Sequence, residues 1–203
     1  MTIVSEDFEG TFPGAWTLVD TTDWGFLFGK RTCKVKSGGY SGWALGAGSR
    51  GNSWGCGNHY VDGLETWMVY GPFSLADATA ADMQLDLWLN SEYRYDGVFV
   101  GASVGGTFGG KSWTGTGEDW RHRTLDLSNV YSLGDLRGQP NVWVAIVFIS
   151  DSITNLPEGA YVDNILVRKC VGGGCASTTS LASEQDTTGT DTLMEAGDWF
   201  DAD

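Results

Sequence analysis

Two acidic segments at opposite ends of the chain carry the residues best suited to joint chemistry. Glu6-Asp7-Phe8-Glu9-Gly10 opens the chain, and Tyr161-Val162-Asp163-Asn164-Ile165-Leu166-Val167 stands far downstream. A carboxylate inside a strand is a liability unless it faces water or meets a cation. Phe8, Ile165 and Val167 are core-type neighbours that anchor both segments. If the two strands pair, Glu9 and Asp163 approach one another and can share a hard cation such as Ca²⁺, which takes oxygen ligands. The alternative is two unrelated acids on edge strands facing water.

A second possible chemistry is sugar stacking. Aromatic rings offer flat apolar faces to pyranose rings, and nearby amides and carboxylates take the hydroxyls. Candidates close to turns are Trp54, His59 and Tyr60; Trp67; Tyr93 and Tyr95; and Trp113 and Trp120. Most of the ten tryptophans in such a chain serve the core, and Trp16, Trp43 and Trp143 are assigned there. Trp88 alternates away from Leu85, Leu87 and Leu89, so it faces the opposite side of its strand.

Catalysis has little support. Asp86, Glu92 and Asp96 flank a turn and offer no closely spaced pair on one strand, as a glycosidase requires. The two histidines, His59 and His122, have no Gly-x-Ser-x-Gly elbow beside them, and His-Glu-x-x-His is absent.

The elements that must position these groups read as strands. Thirty glycines and 13% aromatics among 203 residues, with few helix-forming stretches, indicate an all-β chain dense in turns. Met83 to Asn90 alternates apolar and polar residues, and Gly97–Val104 and Arg123–Leu127 are further strands. Val142–Ile149 is apolar on both faces, the mark of a central strand in a packed sandwich. Residues 74–82 are expected to form a short helical turn. The fold expected is a two-sheet antiparallel β-sandwich, a jelly roll, over residues 1–175. Residues 176–203 follow as a polar, acidic linker or docking tail.

The formal charge is −14, and half of it lies in residues 176–203, which hold seven acids and no lysine or arginine. Nucleic acid and anionic membrane surfaces are poor partners for such a field. No apolar run is long enough to cross a bilayer as a helix. No secretory leader opens the chain, and Met1 is read as a start that replaces a leader or an upstream domain. The cysteines nevertheless favour export. Two disulfides are expected, Cys33–Cys56 and Cys170–Cys175, against a less favoured zinc site on Cys33, Cys56 and His59 that lacks a paired knuckle.

The order of local patterns resembles secreted bacterial jelly-roll modules: calcium-binding carbohydrate-binding modules, cleaved adhesins and MAM-like domains, including those that follow secreted metallopeptidases. The resemblance rests on DFEGTFPGAW (Asp7 to Trp16), SGGYSGWALG (Ser37 to Gly46), RYDGVFVGASVGG (Arg94 to Gly106), TLDLSNV (Thr124 to Val130) and YVDNILV. It spans roughly residues 5–170. It departs at Val104, where relatives often carry Asp. The resemblance implies a structural Ca²⁺ on Glu9 and Asp163, with Asp7, Asn164 and carbonyls near Ser37 to Ser41 as further ligands.

Taken together, the sequence predicts a non-catalytic, secreted binding or adhesion module for a glycan or cell-surface ligand. Trp54, His59, Tyr60, Tyr93, Tyr95 and Trp113 are its candidate contacts. The alternative is an assembly module that self-associates through residues 193–200, where Trp199 and Phe200 supply apolar anchors.

Overall fold

The computed structural model describes residues 1–172 and 189–195, with Glu118 by its backbone alone. Among the described residues twelve strands carry the architecture. They are β1 Thr2–Glu6, β2 Thr17–Asp20, β3 Leu27–Arg31, β4 Ser41–Ala47, β5 Glu65–Phe73, β6 Ala78–Asn90, β7 Gly97–Ser103, β8 Thr107–Thr114, β9 Thr116–Asp126, β10 Val142–Ile149, β11 Gly159–Val171 and β12 Thr190–Glu195. A four-residue helix, α1 Gly48–Gly51, follows β4.

Two antiparallel sheets of six strands face each other. One runs β3-β4-β11-β6-β9 with β1 also on β11, and the other runs β12-β8-β7-β10-β5-β2. Between them Met83, Leu85 and Leu87 from β6 meet Val98 and Val100 from β7 and Val144, Ile146 and Phe148 from β10. β10 lies between β7 and β5, and its alternate residues enter two buried clusters, which is why both its faces are apolar. The face of the second sheet away from this core holds another buried cluster, Trp67, Phe99, Phe108 and Val147. Trp67 therefore belongs to packing, and its Nε1 donates to Glu65 at 2.6 Å.

Several expectations meet corrections or boundaries here. Residues 78–82 are not a helical turn: β6 begins at Ala78 and its first residues pair with Cys170 and Val171, so only the bend before it is turn-like. The short helix lies instead at Gly48–Gly51. Within the expected tail, Thr190–Glu195 pairs antiparallel with β8 as an added edge strand. Cys33 and Cys56 form a disulfide, which removes the zinc alternative. The Cys170–Cys175 pairing involves Cys175, and the docking anchors are Trp199 and Phe200; these three residues lie outside the described residues.

Candidate functional site

The first and last segments do meet. β1 pairs antiparallel with β11, Glu6 opposite Ile165. Further along the same strand Val162 pairs with Gly42 of β4. The edge of β11 thus changes partner across Asp163 and Asn164. Its register with β6 also shifts after Asp163, and Asn164 takes a positive φ of 51°. A bulge with a left-handed non-glycine residue re-aims side chains and marks positions held by their surroundings.

What the bulge aims at is the segment between β3 and β4. Asp163 is fully buried. Its Oδ2 accepts the backbone N–H groups of Lys36 and Ser37, both at 3.0 Å. Glu9 Oε1 accepts those of Gly39 and Tyr40 at 2.9 Å. Ser37 Oγ donates to Asn164 Oδ1 at 2.8 Å, and Asp7 Oδ1 accepts the Glu9 N–H at 3.1 Å. Glu9, Asp163, Asn164 and Ser37 therefore converge on one loop, with Asp7 bracing Glu9. At these four loop positions N–H groups, rather than carbonyls, point at the carboxylates. Phe8 is locked below the clasp against Gly42, where a Cβ would fall 2.4 Å from its ring. Burial raises the Asp163 pKa in spite of the three N–H groups on it, and Asp86 nearby adds to the rise.

A second group of acids lies at the far end of the sandwich. Glu92, Asp96 and Asp151 bring one oxygen each to within 4.8 Å of one another. Residues 91–96 form the turn between β6 and β7, and Asp151 follows β10. Asp96 is buried; its Oδ2 accepts the Tyr60 hydroxyl at 2.5 Å and its Oδ1 the Asp151 N–H at 2.7 Å. Glu92 Oε2 is buried without a hydrogen-bond partner. Burial, followed by the charges of Asp151, Asp96 and Asp62, raises the Glu92 pKa. An orphaned oxygen among mutually repelling carboxylates is the donor set a hard cation fits.

That turn has an outer side as well. Tyr93 and Tyr95 project from it, 66% and 65% exposed. Ser91 is buried; its Oγ donates to the Asp96 carbonyl at 2.8 Å and accepts the Gly115 N–H at 3.0 Å. Both tyrosines stand on the rim of a cleft of about 1180 Å³ whose walls include Trp113, Asp119, Arg121 and His122. The Arg94 guanidinium packs on the Tyr93 ring at 5.2 Å.

The other aromatic candidates part company with these. Tyr60 is 1% exposed and packs edge-on to Phe148, so it is a core residue rather than a platform. Trp54 packs against Phe26 and donates to the His59 carbonyl, while His59 Nδ1 contacts Asn155. Neither lines the cleft. Trp88 lies beneath the Lys34 ammonium, 4.2 Å from it. The acidic cluster escapes a reading of single strands because Glu92 and Asp96 come together only through the turn, and Asp151 arrives from another strand. The Glu-x-x-x-Asp spacing across a Tyr-Arg-Tyr turn was the available signal.

No protein-family model matches the chain, and no curated protein matches it. Solved structures do. The K1 cleaved adhesin domain of Lys-gingipain from Porphyromonas gingivalis aligns over 82% of this chain and 98% of its own, with TM-score 0.55 and 16% identity. The K3 domain of the same protein aligns over 83% and 99%, with TM-score 0.51 and 12% identity. The family 11 carbohydrate-binding module from Clostridium thermocellum, solved with a mixed-linked tetrasaccharide, aligns over 82% and 94%, with TM-score 0.50 and 13% identity. The chain shares the fold of these bacterial adhesin and carbohydrate-binding β-sandwiches. At such identities the likeness concerns the fold alone.

Proposed function

We propose that the protein is a secreted, non-catalytic module that binds glycans in the cleft beside residues 91–96, steadied by Ca²⁺. The carrying observation is the pair Tyr93 and Tyr95, two-thirds exposed on a turn that is pinned from inside. Exposed aromatic faces on a rigid rim suit sugar stacking, because little side-chain freedom remains to be lost on binding. Trp113 and the polar groups of the cleft supply the other wall. The fold shared with carbohydrate-binding modules and adhesin domains is in keeping with this reading. The disulfide Cys33–Cys56 accords with an oxidising, extracellular compartment, and no helix is long and apolar enough to cross a membrane among the described residues.

Ca²⁺ is assigned on two grounds. Glu9 and Asp163 remain the place proposed from the sequence. The Glu92–Asp96–Asp151 cluster is favoured by its orphaned oxygen. When bound there, the ion would neutralise the acids behind the turn that carries Tyr93 and Tyr95. Asp96 is buried and held by the Tyr60 hydroxyl and the Asp151 N–H, and in this reading the three carboxylates serve the turn rather than bond cleavage.

A glycan array probed with Ca²⁺ present and again with chelator tests the reading. Retention of one glycan class, weakened by chelation and lost in Tyr93→Ala/Tyr95→Ala, is the expected result. No retention of any glycan would remove it. The assembly reading rests on β12, which occupies the β8 edge as a strand from a second copy could. It requires concentration-dependent dimers that disappear when residues 189–203 are deleted.

A further inference from the structure

We propose that the glycan taken by this cleft carries an anionic group, a uronate carboxylate or a sulfate, seated on Arg121. The inference rests on the glycan-binding reading and specifies its ligand class. Arg121 is exposed on β9, lines the cleft, and makes no ion pair among the described residues. Arg123 follows on the same face, since strand side chains repeat every second residue. Its guanidinium covers the Trp113 ring at 5.1 Å. Burial first, and then the charge of Arg121, push the Arg123 pKa down to about 10.

Trp113 supplies an independent sign of a missing ligand. It is only 4% exposed, and its Nε1 is buried without a hydrogen-bond partner. Residue 189 beside it is glycine, where a Cβ would come within 3.0 Å of that nitrogen. A ligand oxygen between this donor and Arg121 satisfies the indole and meets the guanidinium, which pairs with carboxylate or sulfate oxygens in a planar fork. A neutral sugar would satisfy the indole alone and leave Arg121 without a counter-charge among the described residues.

The net charge of −14 argues the other way at long range. The cleft nevertheless brings Arg94 and Arg121 to its lining, beside Asp119, among the described side chains. At about 0.1 M salt the Debye length of about 10 Å screens the distant acids, while a direct contact survives.

Binding of the full 203-residue chain to polygalacturonate, to its carboxyl-reduced neutral form and to heparin, measured by calorimetry at about 0.1 M salt, tests the proposal. One charged polymer should bind at least about tenfold more tightly than the reduced one, and which one it is separates carboxylate from sulfate. Arg121→Gln should lower that affinity about tenfold, the scale of a lost charge-assisted hydrogen bond, and leave the melting temperature unchanged. Equal binding of charged and reduced polymers, or full affinity in Arg121→Gln, overturns it. Retention of neutral glycans alone overturns this inference and leaves the glycan-binding reading standing; retention of none overturns both.

Discussion

The buried hydroxyl of Tyr60 donates to Asp96 Oδ2 at 2.5 Å and accepts the backbone N–H of Glu92 at 3.1 Å. One atom thereby ties both ends of the 91–96 turn to the core. The acids face inward from this turn and the tyrosines outward, so whatever steadies the acids also fixes the rim of the cleft.

Tyr60→Phe is the direct probe of this tie. It keeps the ring against Phe148 and removes the oxygen, leaving a buried carboxylate oxygen and a backbone N–H short of a partner. Denaturant unfolding should register a loss of about 2 kcal/mol, the scale for an unsatisfied buried group. Glycan affinity should fall alongside it as the turn loosens. A loss under about 0.5 kcal/mol would show that the tie carries little of the turn's order.

Calcium should raise the melting temperature. An ion binding only the folded state at a hundred times its Kd adds about 2.7 kcal/mol. For a chain of this size that corresponds to roughly 5–10 °C. Glu92→Gln and Asp163→Asn divide the effect between the turn and the clasp by differential scanning calorimetry. A wild-type melting temperature indifferent to calcium and chelator would leave neither place holding an ion.

In chelator the melting temperature should fall as pH rises from about 5 to 7. The folded-state pKa values of Glu92, Asp96 and Asp163 are raised, each by burial first. The folded state therefore holds these protons more tightly than the unfolded chain. Their contribution to stability is present below the ordinary carboxylate range and is lost as pH climbs through the raised values. Asp77 and Asp135 are lowered, by Lys169 and Arg137 respectively. Their contribution is lost only below about pH 4, outside this window. Excess calcium should flatten the slope; a melting temperature that rises from pH 5 to 7 in chelator contradicts the assignment.

Replacing Cys33 and Cys56 by serine should cost about 3 kcal/mol by denaturant unfolding, the loop-closure entropy for their separation of 23 residues. Glycan affinity should persist, because the bridge lies in the segment between β3 and β5 and lines no part of the cleft. A loss of binding in the folded variant would tie the cleft to that loop.

The local grammar of strands was legible in the chain. The doubly apolar run Val142–Ile149 became the central strand, and the alternation of Met83 to Leu89 named the inward face. Cys33 and Cys56 paired as expected, and Glu9 and Asp163 came to one loop because β1 and β11 pair. What escaped depends on distant contacts. Tyr60 looks like a turn aromatic within Asn58-His59-Tyr60, yet Phe148 and Asp96 bury it. Residues 78–82 lack strong strand character, and β11 enforces it. The acid cluster joins a turn to the end of β10, a proximity no local pattern encodes, and Thr190–Glu195 reads as polar linker until the β8 edge takes it.

Calorimetric titration of the best array glycan into wild type and Tyr93→Ala/Tyr95→Ala, each with calcium and with chelator, tests the central claim most directly. The account predicts that the double variant binds at least about tenfold more weakly and that chelation weakens wild type. Equal affinity in all four titrations would contradict it, placing the glycan elsewhere on the protein and the turn outside its recognition.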